Sequence, residues 1–289
     1  MPYRPRRSVL YMPASNARAI EKARSLACDG VIFDLEDAVA PDAKAEARRQ
    51  AVAAVTGGGF GRRELIIRCN ALDTPWGADD LAAATVAAPD ALLAPKVSTP
   101  GDIAAYRGAV GPEAVLWAMI ETPQAVMGLD ELGRASAANG VACWVMGLND
   151  LAKAMGGRQT PDRAPHLPIL SLAVAAARAH GLAILDSVTN AIDDVALVEA
   201  HCRQAVDIGF DGKSLIHPSQ IEPANRLFSP AVDEVAWSRA VIAAYALPEN
   251  RAKGALQVDG RLAERLHLEQ AERLVDIAEA IAVESAPAA

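Results

Sequence analysis

The sequence has no apolar run of the 18 to 20 or so residues that a membrane-spanning helix requires. Prolines near the amino terminus interrupt any continuous apolar segment that could act as a secretory signal. It also lacks a glycine-rich GxGxxG motif after its first apolar run, which argues against dinucleotide binding. We therefore expect a cytoplasmic protein with no membrane partner.

Positive charge and cysteine are both scarce. Lys and Arg number 28 against 36 Asp and Glu, giving a net charge of −8, and only Arg4–Arg7 is locally basic. This balance argues against nucleic acid as a main partner. The four cysteines form no CxxC pair, which fits reduced thiols in an apolar core rather than a disulfide or zinc framework. They are Cys28, Cys69, Cys143 and Cys202.

What the sequence does contain is a regular alternation of apolar and helical segments. Its 52% of hydrophobic residues can bury a sizeable core. Eight apolar segments of strand length alternate with helical ones over about 220 residues, which favours an α/β fold of the (β/α)8 barrel type. An open doubly wound sheet is the alternative. We predict a barrel over residues 1–228 and a helical C-terminal extension or lid over 229–289.

The most informative stretch runs from Ala114 to Asp150. Two apolar runs, AVLWAMIETP and VACWVMGLND, end near Glu121 and Asp150, and a helix from Gln124 to about Asn139 is predicted between them. The right-handed crossover of such a βαβ unit places both strand ends on one side of the sheet. Two carboxylates there could hold a hard divalent cation. Alternatively, they are helix N-caps or surface acids.

Further polar residues also follow predicted strands, at the barrel face that carries active sites. They are Glu36, Asp37, Arg68, Lys96, Asp186 and His217. This clustering favours a functional role for Glu121 and Asp150. One Glu and one Asp leave positions for water and substrate oxygens, which suits Mg²⁺ rather than structural zinc. Such an ion could hold a 2-oxoacid, and the planar fork of Arg68 suits a carboxylate, although Arg68 could instead pair structurally with Glu36 or Asp37.

Seven motifs follow one another between Arg7 and about Leu227. They are RSVLYMP, FDLEDAV, IRCN, APK, MIET, MGLNDL and GFDGKSLIHPSQ. In this order they resemble the citrate lyase β-subunit-like group of the HpcH/HpaI aldolase superfamily, which also holds malyl-CoA and citramalyl-CoA lyases. The resemblance implies a (β/α)8 barrel, homotrimers or hexamers, a Mg²⁺ requirement and a coenzyme A thioester as substrate.

The resemblance also implies residue roles. Glu121 in MIET and Asp150 in GLNDL match the metal ligands, and Arg68 matches the arginine that holds the oxoacid carboxylate. Arg7 and the Ile216–His217 turn fall where the family contacts coenzyme A. A loop role for His217, satisfied by the backbone, is an open alternative. Lys96 and Asp186 match family positions too, and ion pairing explains them equally well.

A C-terminal segment departs from the family pattern. Family members with lyase or synthase activity bring an aspartate from a lid of the neighbouring subunit. The corresponding GRLAERL segment places Glu264 at or near that position, so a longer acid would have to take the role. A second departure is Ala14, where family members often carry Gly.

The implied activity is reversible C–C cleavage of a short 3-hydroxyacyl-CoA, such as malyl-, citramalyl- or citryl-CoA, to acetyl-CoA and a 2-oxoacid. The same barrel and site residues could support a malyl-CoA thioesterase, a malate or methylmalate synthase, or a CoA-independent hydroxy-oxoacid aldolase. A catalytically silent binding subunit is a further alternative, against which the presence of Glu121, Asp150 and Arg68 together argues.

Overall fold

The structure, a computed structural model, describes residues 3–285. The chain divides into two compact units, a barrel of Arg6–Arg226 and a C-terminal unit that begins at Leu227. Within the described residues, no helix combines the length and apolar character needed to cross a bilayer.

Eight parallel strands close into a barrel, with the last strand pairing with the first. The strands are β1 Ser8–Pro13, β2 Gly30–Asp34, β3 Glu64–Arg68, β4 Ala91–Val97, β5 Leu116–Ile120, β6 Val141–Met146, β7 Ala183–Asp186 and β8 Gly212–Leu215. Helices connect successive strands, as parallel pairing requires. The predicted (β/α)8 fold is therefore confirmed.

The helices of the barrel begin where their sequence signals place them. Asn16 caps the first helix, and Thr99 with Pro100 begins the fourth with a capping box. The helices are α1 Ala17–Ala23, α2 Lys44–Gly57, α3 Gly77–Ala87, α4 Pro100–Val110, α5 Pro123–Met127, α6 Leu129–Ala138, α7 Leu148–Met155, α8 Leu167–Ala179, α9 Val195–Ile208 and α10 Ile221–Leu227.

The connection between β5 and β6 differs from its prediction. The single helix expected from Gln124 to about Asn139 is two helices, α5 and α6, that meet at Gly128. Gly128 has φ −114° and ψ 24°, outside the helical region, so the helix is interrupted at this residue.

The barrel interior is filled by apolar side chains. Val9, Ile32, Ile66, Trp117 and Val145 are all fully buried there. Burying each such side chain stabilises the fold by about 1.5–3 kcal/mol. The four cysteines are buried and free, in agreement with the predicted core thiols.

The C-terminal unit contains a hairpin within the stretch 229–289 that the sequence predicts to be a helical extension. Strands β9 Ala255–Val258 and β10 Arg261–Glu264 pair antiparallel between helices α11 Val232–Ala246 and α12 Arg265–Ser285. The helical expectation is wrong for 261–264. The missed signal is Asp259–Gly260, both at positive φ, a dipeptide that favours a two-residue hairpin turn.

Candidate active site

A cavity of about 290 Å³ lies at the carboxyl ends of the strands and is called the barrel cavity below. In (β/α)8 enzymes this face holds the active site. Seven of the eight strands or their following loops contribute its lining. The lining residues are Tyr11, Asp34, Asp37, Ala38, Arg68, Met119, Glu121, Met146, Gly147, Asn149, Asp150, Ser187, Val188, Ser214 and Ile216.

The structure brings Glu121 and Asp150 to this cavity together. Glu121 directly follows β5 and is only 2% exposed, and Asp150 lies in the first turn of α7 after β6. Strands β5 and β6 are neighbours, with Ile120 opposite Met146 in the register. The βαβ argument from the sequence therefore places both acids as the structure does.

Lys96 reaches the same point from β4. The pairing of β4 with β5 shifts register between Ala94 and Val97, and Lys96 has φ +54°. Such an irregularity redirects a side chain that regular pleating would place elsewhere. Its ammonium contacts Asp150 Oδ2 and lies 3.5 Å from Glu121 Oε1, while its backbone N–H donates to the same Glu121 oxygen at 2.8 Å.

Arg68 is engaged by acids from β2 and the loop after it. Its Nε and Nη2 donate to the two oxygens of Asp34 at 2.7 and 2.6 Å, and Nη1 lies 2.8 Å from Glu36 Oε2. Burial opposes the guanidinium charge, but Asp34 and Glu36 hold the pKa of Arg68 well above its ordinary value. The ring of Tyr11 lies 4.9 Å from the guanidinium carbon.

The main partner of Arg68 was missed in the sequence analysis, which considered Glu36 and Asp37. Asp37 Oδ2 is 3.8 Å away, whereas Asp34 makes both hydrogen bonds. Asp34 and Arg68 are register partners at the ends of β2 and β3. The signal was therefore in the strand register, which the sequence does not show directly.

Glu36 is a buried acid in an unusual environment. Burial raises its pKa to about 7, with Arg68 opposing the shift and Glu121 adding to it. Oε2 makes no hydrogen bond despite its proximity to Arg68, and Oε1 lies 3.4 Å from Lys96 Nζ. The Glu36 carboxylate thus lies between the cationic groups of Arg68 and Lys96.

The charges around the barrel cavity can accommodate a further cation. Five carboxyl groups, those of Asp34, Glu36, Asp37, Glu121 and Asp150, surround the two cations Arg68 and Lys96, so acids outnumber bases by three. Glu121 and Asp150 converge on one ammonium, so a positive charge already sits between them. No group of three or more His, Cys, Asp or Glu is arranged to hold a metal within residues 3–285. Two carboxylates suit Mg²⁺, which completes its coordination with water and substrate oxygens.

The residues expected to contact coenzyme A lie in two separate places, with the Ile216–His217 turn beside the barrel cavity and Arg7 away from it. Ile216 lines the barrel cavity and is 39% exposed, and His217 follows it. The Nδ1 of His217 accepts from the backbone N–H of Ser219 at 3.2 Å, at the start of the short 3₁₀ turn Pro218–Gln220. This contact matches the loop interpretation of His217 and leaves Nε2 for a ligand.

Arg7 is not brought to the barrel cavity. It precedes β1, at the amino end of the strands, and its guanidinium donates to Asp29 at 2.7 and 2.9 Å. Because all strands are parallel, that end is the opposite face of the barrel. Arg7 therefore does not line the barrel cavity, and its contact with coenzyme A stays a prediction.

Asp186 is a buried ion-pair partner. At the end of β7 it accepts from Arg163 Nη1 at 2.7 and 2.8 Å and from Lys213 Nζ at 2.7 Å. Burial opposes its charge, yet the two cations hold its pKa below the usual range. The ion-pair alternative therefore describes Asp186, with partners that the sequence did not single out.

Glu264, the acid matched to the family's lid aspartate, belongs to β10 of the C-terminal unit and is exposed. Its backbone N–H donates to His267 Nδ1 at 2.9 Å. A role for its carboxylate toward a neighbouring subunit remains a prediction.

A closed parallel barrel with a carboxylate-rich cavity at the carboxyl ends of its strands defines a (β/α)8 protein whose candidate active site lies at the face where such barrels carry their active sites. Residues 7–218 match the family model described as HpcH/HpaI aldolase/citrate lyase, and the chain belongs to this family.

Two relatives and one solved structure cover almost the whole chain. It is 47% identical over 278 residues, 96% of both chains, to a protein of Cereibacter sphaeroides named (3S)-malyl-CoA thioesterase. It is 31% identical, over 97% of this chain and 96% of the other, to the L-malyl-CoA/beta-methylmalyl-CoA lyase of that organism. The CitE protein of Mycobacterium tuberculosis, solved with magnesium, acetoacetate and coenzyme A, is 28% identical to this chain with a TM-score of 0.76. The match covers 94% of this chain and 97% of the CitE chain.

Proposed function

We propose that this protein is a Mg²⁺-dependent thioesterase that hydrolyses a short 3-hydroxyacyl-CoA of the malyl-CoA class. The observation that carries the proposal is the 47% identity to a (3S)-malyl-CoA thioesterase over 96% of both chains. The relative named as a lyase shares 31% over a similar span. The thioesterase, an alternative in the sequence analysis, is therefore preferred to the lyase.

The barrel cavity has the size and charge for the acyl part of such a substrate. About 290 Å³ corresponds to roughly ten waters at ~30 Å³ each, enough for a short dicarboxylic acyl group but not for coenzyme A as a whole. We assign the substrate carboxylate to Arg68 and the metal to Glu121 and Asp150. When bound, the ion would polarise a substrate oxygen and stabilise the charge that develops there. The Ile216–His217 turn at the cavity rim would contact coenzyme A.

Hydrolysis requires a base for the attacking water. Water adds to the thioester carbonyl carbon, the C–S bond breaks, and coenzyme A leaves as the thiol with malate as the acid product. Three carboxylates of the cluster, Asp34, Glu36 and Asp37, are not assigned to the metal, and both oxygens of Asp34 already accept hydrogen bonds from Arg68. Burial raises the pKa of Glu36 to about 7, a value suited to proton transfer near neutral pH, so we assign the water proton to Glu36.

A C–C lyase is the second candidate, favoured by the relative named L-malyl-CoA/beta-methylmalyl-CoA lyase. In that direction a base takes the 3-hydroxyl proton and the acetyl-CoA enolate must be protonated. Glu264 of a neighbouring subunit in a homotrimer or hexamer would supply that proton.

The experiment is incubation with Mg²⁺ and (3S)-malyl-CoA while free thiol and 2-oxoacid are followed separately. A thioesterase releases thiol and malate without glyoxylate, whereas a lyase releases glyoxylate and acetyl-CoA without thiol. Glu121→Gln is the matched control, because it keeps the shape of the side chain and removes its charge. Glyoxylate without thiol would reject hydrolysis in favour of the lyase, and neither product would reject both.

A further inference from the structure

The ammonium of Lys96 sits between two pairs of carboxylates. On one side it contacts Asp150 and lies 3.5 Å from Glu121, the two acids assigned to the metal. On the other side it lies 3.4 Å from Glu36 Oε1 and 3.7 Å from Asp37 Oδ2. The single ammonium of Lys96 thus lies close to four carboxyl groups.

The backbone is built to hold Lys96 at this place. A lysine at φ +54° occupies a conformation that L-residues rarely adopt, and the β4–β5 register shifts around it. Such departures persist where surrounding contacts fix them, and they concentrate at functional sites. Here the fixing contact is the hydrogen bond from the Lys96 backbone N–H to Glu121 Oε1 at 2.8 Å.

We propose that Lys96 occupies the magnesium position in the metal-free protein and is displaced when the ion binds. An ammonium and Mg²⁺ cannot share the same oxygens of Glu121 and Asp150, because both are cations and the carboxylates offer limited room. Lys96 therefore neutralises this pair of acids and competes with the ion. This inference rests on the metal assignment within the proposed function, not on the choice of thioester.

The displaced ammonium has a place to go. Glu36 and Asp37 already lie within 3.4 and 3.7 Å of Lys96 Nζ, so a rotation of the flexible stem closes those distances. The oxygen that faces Lys96 is Glu36 Oε1, since Oε2 lies 2.8 Å from Arg68 Nη1. Magnesium binding thus moves the Lys96 ammonium from Glu121 and Asp150 to Glu36 and Asp37. The cavity then holds the positive charges of both the ion and Lys96.

Calorimetric titration with MgCl₂ in the absence of substrate tests this exchange. Removing the competitor in Lys96→Met should tighten Mg²⁺ binding at least about tenfold, because two unneutralised acids attract the ion more strongly. The rise in thermal midpoint caused by Mg²⁺ should also be larger in the variant than in the parent. Lys96→Gly provides a second variant, since glycine adopts the positive φ without cost.

Lys153 supplies the matched control. It is exposed on α7, three residues after Asp150, so Lys153→Met removes the same charge nearby without removing an occupant of the site. We expect its Mg²⁺ affinity to stay within about twofold of the parent, as for an exposed, screened charge.

Three results would count against the exchange. Unchanged or weaker Mg²⁺ binding in both Lys96 variants, with binding still lost in Asp150→Asn, overturns it and leaves the proposed function intact. An equal increase in Mg²⁺ affinity in Lys96→Met and Lys153→Met overturns it in favour of a general electrostatic effect of removing one positive charge. Mg²⁺ binding that survives both Glu121→Gln and Asp150→Asn removes the metal assignment and the exchange together. Tighter binding in the Lys96 variants without malyl-CoA hydrolysis would reject only the proposed function.

Discussion

A Cβ atom on Gly147 would lie 2.5 Å from the Cβ of Glu121 and 2.6 Å from its Oε2. The Gly147 N–H donates to the carbonyl of Ile120 at 3.0 Å, so the two loops are held together by the backbone and cannot part freely. Glycine at 147 is thus required for Glu121 to point into the barrel cavity, which ties the start of α7 to the position of the metal ligand.

Substituting Gly147 with alanine should displace the Glu121 carboxylate. Small misplacements of a reacting geometry cost up to about a hundredfold in rate, so we expect kcat/KM of Gly147→Ala to fall by about ten- to a hundredfold, with weaker Mg²⁺ binding. Gly128→Ala is the control, since Gly128 has nearly the same φ and its Cβ would lie 3.6 Å from the nearest atom. Full activity in Gly147→Ala would contradict the packing argument.

Removing the metal or its ligands should abolish turnover without unfolding the barrel. We expect chelation to stop malyl-CoA hydrolysis and added Mg²⁺ to restore it. Glu121→Gln should lower kcat by roughly two to three orders of magnitude, because transition-state charge loses its stabilisation. Initial rates and circular dichroism of the same samples provide the measurement, and Mg²⁺-dependent activity retained in Glu121→Gln would refute the ligand assignment.

The buried Asp186 should be important for stability. Asp186→Asn leaves Lys213 and Arg163 buried without their counter-charge, and breaking such a pair typically costs about 3 to 5 kcal/mol in the free energy of unfolding. Urea denaturation measures the loss. Glu199→Gln, which removes a partly exposed partner of Arg203 and Arg226, should leave the midpoint almost unchanged. Similar midpoints for the two variants would contradict this difference.

Acid should destabilise the fold partly through His201. Burial lowers its pKa, and its Nε2 donates to the carbonyl of Pro161 while Nδ1 accepts from Thr189. The unfolded state then binds a proton more readily than the folded one, so this contribution is present above about pH 6.5 and is lost as the pH falls toward the folded pKa. The unfolding free energy of His201→Gln should depend less steeply on pH from about 7 to 5.5. Equal slopes would contradict this origin.

The sequence predicted what depends on local pattern and missed what depends on register. Apolar runs alternating with helices predict the barrel because each run is itself a strand, and Glu121 and Asp150 follow because strand ends share one face. The pairing of Arg68 with Asp34 depends on which residues of β2 and β3 are opposite each other.

The positions of Lys96 and Arg163 also could not be predicted, because they too depend on the three-dimensional arrangement of the chain rather than on local sequence pattern. The place of Lys96 depends on an irregularity in β4, which no periodicity reveals. Arg163 reaches Asp186 from the loop before α8, across 23 positions of sequence, and it does so at φ +56°. The Asp259–Gly260 turn, by contrast, was visible in the sequence and was overlooked.

The burial of the four cysteines affects how the reaction can be measured. All are at most 4% exposed, and burial raises the pKa of Cys28 and Cys202 to about 11. The reactive thiolate is therefore scarce and sheltered in the native protein. A chromogenic disulfide reagent added to the folded enzyme should report only released coenzyme A, so hydrolysis can be followed continuously at high protein concentration with little background.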